Sequence, residues 1–200
     1  MPFGISAFVA HTDIRPTKEW QEEIAIALAS MDAFVALLTE KFHTSEWTDQ
    51  EVGYALGRGV PLIAVKLGED PYGFIGKFQA LACDWGDAPL ELAKLLVKQP
   101  RMIDAFVEAV PRCTSFDEGN MLSGVLPSIE TLTVEQAECL ASAFNEKNQL
   151  QGSYGFTGER PAKYGPGLAA HLARATCKGY EIRATGDAWP RAWRIGPKKR

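Results

Sequence analysis

Long apolar runs are scarce in this 200-residue chain. The longest, such as DAFVALL (32–38) and VPLIAV (60–65), fall far short of the ~20 residues that a membrane-spanning helix needs, so no membrane partner is expected. The opening stretch MPFGISAFVAHTD carries neither a basic segment nor a small-residue cleavage site, and a cytoplasmic location is expected. Only three histidines and four cysteines occur. Cys83, Cys113, Cys139 and Cys177 are spread out without a C-x-x-C pair or a histidine cluster, a pattern that signals neither a metal site nor a disulfide framework. Gly53, Gly57 and Gly59 do not form a G-x-G-x-x-G behind a strand, so there is no dinucleotide fingerprint. No Ser/His/Asp or Cys/His order singles out a nucleophile.

What is present is apolar material for a core, at 46% hydrophobic and 10% aromatic. The formal charge of −4 is unevenly spread. Residues 151–200 hold ten Lys/Arg against Glu159, Glu181 and Asp187, a balance of +7, which leaves −11 for the first 150 (−4 − 7). An acidic first part is a poor nucleic-acid binder; a nucleic-acid partner is conceivable only for the basic end, which terminates in PKKR.

ISAFVA (5–10), AFVALL (33–38) and VPLIAVKL (60–67) are nearly unbroken apolar runs, the pattern of strands buried on both faces of a parallel sheet. Trp20, Ile24, Ala27, Leu28 and Met31 recur at helical spacing between the first two, and a helix over 46–57 should join the second pair and end at Gly57 and Gly59. The expectation is α/β, a flavodoxin-like doubly wound parallel sheet, with LACDW (81–85) as a short edge strand. Helices are predicted over 89–99 and in RMIDAFVEAV (101–110). We read 1–110 as one domain, 111–128 as a linker and 129–200 as a small α+β module. In that module Thr133 and Gln136 cap a helix over 134–147, QLQGSYGFTG makes a hairpin, GLAAHLARATC a helix and YEIRA a strand.

Ligands of an open parallel sheet bind beyond the carboxyl ends of its strands. The loops HTDIRPTKEW (11–20) and TEKFHTSEW (39–47) bring His11, Asp13, Arg15, Trp20, His43, Ser45, Trp47 and Glu51 to that edge. Trp47 and Glu51 are spaced i, i+4, and an indole wall beside a carboxylate suits a planar cationic ring such as nicotinamide. A second reading has equal standing on spacing alone. TDQE (48–51) is a capping box in which Thr48 is the N-cap and Glu51 reaches back to its amide, with no further role.

The run MDAFVALLTEKFHTSEWTDQEVGYALGRGVPLIAVKLG resembles the Toll/interleukin receptor (TIR) domain in its bacterial forms. The shared pattern is an apolar strand ending in a hydroxyl residue, a loop aromatic, Ser-x-Trp, three residues and Glu, then a helix and a Pro-Val-like strand. Here these are Thr39, Phe42, Ser45, Trp47, Glu51 and Pro61 to Val65. The stretch DIRPTKEWQEEIAIALASMDA looks like the family's BB loop running into its next helix, and the likeness covers about residues 4–85. It implies that Glu51 cleaves the nicotinamide–ribose bond of NAD+, which would be substrate, with no cofactor or metal. Trp47, Ser45, His11, Asp13, Arg15 and Trp20 would contact that substrate. It also implies self-association through TIR surfaces and a role in bacterial signalling or antiphage defence. An alternative is a TIR module that only docks. The match begins at what looks like the family's second strand. Strand 5–10 is therefore expected to pair elsewhere in the chain or with a second copy, with altered sheet order and poor activity for the chain as it stands.

Overall fold

A computed structural model of the protein describes residues 3–9, 20–45, 47–185 and 192–198. The chain divides into two compact units, one from Ala7 to Ala88 and one formed by Met1–Ser6 together with Pro89–Arg200.

In the first unit, helix α1 (Trp20–Ser30) buries Ile24 and leads to strand β1 (Phe34–Leu38). Helix α2 (Thr48–Arg58) buries Val52 and Ala55, one helical step apart, and stops where Gly59 takes the left-handed conformation that glycine adopts without strain. Strand β2 (Leu62–Lys66) then pairs in parallel with β1, Phe34 opposite Leu62 through Leu38 opposite Lys66. Of the expected edge strand 81–85 only Leu81 joins the ladder, in a parallel bridge to Val65 with Leu81 N–H donating to Ala64 O at 2.7 Å. The core is small and consists of Ala36, Leu38, Phe42, Val52, Ala64 and Ile75.

Two features of the predicted sheet differ. Leu37, between buried Ala36 and Leu38, is 42% exposed, so β1 is covered on one face, and the sheet seen among the described residues has two strands. Residues 5–9 form no strand; Phe8 and Val9 are exposed while Phe3 is buried in the core of the other unit, with Ile5 against it. An apolar run records that a segment seeks burial, not which core receives it. Gly4, at φ +73°, is pressed against the Ala105 carbonyl, where a Cβ would collide with it.

The second unit is mostly helical. Helices α3 (Ala88–Leu96) and α4 (Pro100–Ala109) form as predicted, and α4 inserts Ile103, Phe106 and Val107 into the core. The stretch 111–128, expected as a linker, is instead structured. Helix α5 (Phe116–Ser123) is capped by Ser115, whose hydroxyl accepts from Glu118 N–H at 3.1 Å, and Leu122, Val125 and Leu126 are fully buried. Helix α6 (Val134–Glu146) has the predicted capping box of Thr133 and Gln136.

The predicted hairpin over 149–158 is replaced by two short helices, α7 (Asn148–Gln151) and α8 (Tyr154–Thr157). Leu150, Ser153 and Phe156 are all buried, a period of three that belongs to a helix and not to a strand. A short α9 (Pro161–Tyr164) precedes α10 (Leu168–Thr176). Strands β3 (Tyr180–Thr185) and β4 (Ala192–Pro197) close the chain as an antiparallel ribbon. The side chain of Asn145 anchors the ribbon to α6 by imitating a neighbouring strand: it accepts from Ile195 N–H at 2.7 Å and donates to Ile195 O at 3.1 Å.

Candidate active site

The site is assembled where the chain leaves β1. Phe42 is buried and begins a short 3-10 turn, Phe42–Thr44, that carries the chain from the strand to α2. The Thr48 hydroxyl donates backwards to Phe42 O at 2.5 Å, closing this loop. The helix start bears on the capping-box reading of TDQE. The N-cap is Trp47 in a helical conformation, without a side-chain cap, and Thr48 already lies inside the helix with its hydroxyl committed to the loop. The capping box therefore does not form, and among the described residues Glu51 has no side-chain partner. Its amide bonds to Trp47 O at 2.9 Å, so the two residues sit one helical turn apart. The Glu51 carboxyl is partly buried, and this desolvation raises its pKa above the ordinary 4.5.

Trp47 meets Trp20 edge to face, with ring centroids 4.7 Å apart and planes at 67°. Ser45 Oγ accepts from Trp47 N–H at 3.3 Å, so Ser45 shapes the approach to the helix. At the other end of the same helices, Arg58 Nη1 donates to Leu28 O at 2.7 Å and to Met31 O at 3.1 Å. Helices α1 and α2 thus lie side by side with their N-termini together, joined by the tryptophans at one end and by Arg58 at the other. Both positive dipole ends face the neighbourhood of Trp20, Trp47 and Glu51, which favours anionic groups there.

Of the sequence-predicted residues the structure brings together Trp20, Ser45, Trp47 and Glu51. His11, Asp13 and Arg15 lie outside the described residues. Two residues were missed. Tyr72 donates from its hydroxyl to Asp49 Oδ1 at 2.5 Å, and its ring meets Phe42 at 6.4 Å and His43 at 5.6 Å between centroids. Burial, followed by the bond to the Asp49 carboxylate, pushes the Tyr72 phenol up to about 12, so it remains a donor at every physiological pH. Tyr72 is 23 residues from Asp49, and no local spacing connects them.

Among the described residues no group of His, Cys, Asp and Glu is placed to hold a metal ion, and no helix is long and apolar enough to cross a membrane. No curated protein and no solved structure matches the chain. The family model of the TIR domain matches residues 3–96, the segment that holds the strand–loop–helix arrangement around Ser45, Trp47 and Glu51.

Proposed function

We propose that the TIR segment cleaves the nicotinamide–ribose bond of NAD+, with Glu51 as the catalytic carboxylate. The observation that carries this is the state of Glu51: beside Trp47, one turn inside α2, half-desolvated and not used to cap its helix. Nicotinamide leaves the dinucleotide as a neutral molecule, so the reaction needs no general acid. Its demand is stabilisation of an oxocarbenium-like ribose, which one carboxylate can supply. A partly dehydrated carboxylate interacts more strongly with that developing charge than a solvated one. The indoles of Trp20 and Trp47 offer the cationic ring an aromatic wall, and the paired helix N-termini suit the diphosphate.

The test is nicotinamide release from NAD+ by the full chain. Glu51→Gln should lower it by at least about a hundredfold. Equal release by wild type and variant, or none from wild type at any protein concentration, sinks the enzymatic reading. Because the carboxylate must be ionised, the acid limb of the rate profile should lie above pH 4.5.

A second reading, a TIR module that acts by docking, is favoured by Phe74 and Trp85, which are 79% and 67% exposed. Under that reading Phe74→Ser or Trp85→Ser abolishes concentration-dependent self-association, and Glu51→Gln is silent in every assay. For the basic C-terminal stretch a nucleic-acid partner is supported by a cation–aromatic stack. Arg160 lies 4.0 Å over the Tyr154 ring, which is stacked on Tyr164. Retention of the full chain on single-stranded DNA that does not weaken with salt counts against it.

A further inference from the structure

The first turn of α2 carries Trp47 and Glu51, yet it lacks the usual means of holding a helix start in place. Its N-cap side chain makes no bond to the orphan amides, and uncapped first turns fray. Two side-chain bonds take over that task. One is Thr48 to Phe42 O, from inside the loop. The other is Tyr72 to Asp49, from a different segment of the chain. Tyr72 is itself firmly seated. Its ring packs on the small core beside Phe42, and its carbonyl accepts from Ile75 N–H at 3.1 Å, where Ile75 is 1% exposed. The phenol therefore transmits the position of the core to the second residue of α2, two residues before Glu51.

We propose that Tyr72 is a positioning residue for Glu51, clasping the first turn of α2 through Asp49. The clasp is a geometric statement about α2; its effect on turnover rests on the reading of Glu51 given above. Tyr72 touches no reacting atom in this scheme. It fixes the angle at which α2 presents its carboxylate, and displacements of about 1 Å in such groups are costly to turnover.

Tyr72→Phe in the full chain isolates the clasp, because the ring and its contacts with Phe42 and His43 remain while the hydroxyl is lost. Hydrogen exchange at the amides of Glu51 and Val52, the first to bond within the helix, should accelerate at least about tenfold. The kcat for nicotinamide release should fall about tenfold with KM within about twofold. Asp49→Asn keeps a carbonyl oxygen to accept from the phenol and should stay close to wild type. Asp49→Ala should reproduce Tyr72→Phe, and the double variant Tyr72→Phe/Asp49→Ala should be no worse than either alone. Unchanged exchange at Glu51 and Val52 in both Tyr72→Phe and Asp49→Ala overturns the clasp whether or not NAD+ is cleaved. Faster exchange with undiminished kcat overturns the link to Glu51. A wild-type chain without NAD+ cleavage removes the enzymatic reading alone, and the exchange comparison still decides the clasp.

Discussion

The two compact units distribute their apolar residues in opposite ways. In Ala7–Ala88 the core is six residues around a two-stranded ladder, while Phe8, Val9, Trp20, Ile26, Leu37, Tyr54, Phe74 and Trp85 stand in solvent. In the other unit the exposed large apolar residues among those described are Leu95, Phe116 and Val134, and Phe106, Phe144 and Phe156 are wholly enclosed. The unit holding the candidate chemistry is thus the more thinly packed one. Its partly buried carboxylate and uncapped helix add to that cost, which is the usual relation between a working site and the stability of its surroundings. The comparison also separates two kinds of boundary. The TIR match extends to residue 96, but Ala93 within α3 and Val97 just after it belong to the core of the other unit. A family segment and a folding unit need not end at the same residue.

The sharpest way to test this contrast is to remove one enclosed side chain and one exposed one. Phe144→Ala should cost about 3–5 kcal/mol, because the ring is fully buried and its loss leaves a cavity. Leu37→Ser, although it lies in a strand, should change stability by no more than about 0.5 kcal/mol. Urea unfolding of each variant reads both numbers. A large loss from Leu37→Ser would show that the open face of β1 is covered in solution.

Acid should separate the units by sign. His171 is buried beside Arg174, and burial, followed by that charge, lowers its pKa from 6.5 to about 4. A depressed folded pKa contributes stability that is present above the unfolded value and lost as pH falls. The second unit should therefore lose on the order of 2–3 kcal/mol between pH 6.5 and 4. Glu51 acts in the reverse sense. Its raised folded pKa gives stability that is complete below 4.5 and lost as pH rises through the raised value. His171→Gln should flatten the acid loss, as read by hydrogen exchange in α10.

The smallest effect belongs to Glu51 itself. At pH 7 Glu51→Gln should leave the first unit as stable as wild type or slightly more so, since it removes a desolvated charge that has no side-chain partner among the described residues. Destabilisation by that variant, measured by exchange across β1 and β2, would mean that the carboxylate has a structural duty after all.

Much of this architecture was legible locally. The capping box of Thr133 and Gln136 sits directly before Ala137 and Leu140 at helical spacing, so its helix follows from neighbours alone. The helix carrying Glu51 was equally visible, but its start was misread. T-x-x-E is a capping signal only if the threonine is free, and its partner at Phe42 is set by the shape of a loop. Tyr72 and Asp49 were silent because their contact is a product of folding. The segment 149–158 was misread as a hairpin. In the structure Gly155 lets α8 lie against Ser123, leaving no room for a side chain. Glycine reports both close packing and tight turning, and sequence does not distinguish them.

The edge-to-face pair of Trp20 and Trp47 makes the candidate site optically distinct. Two indoles with centroids 4.7 Å apart couple their electronic transitions, and the coupling depends on their mutual angle. A ring entering between them, or a shift of either helix start, changes the near-ultraviolet circular dichroism and the emission of this pair without any attached dye. The protein carries its own reporter at the place where its chemistry is proposed, and Trp20→Phe provides the blank.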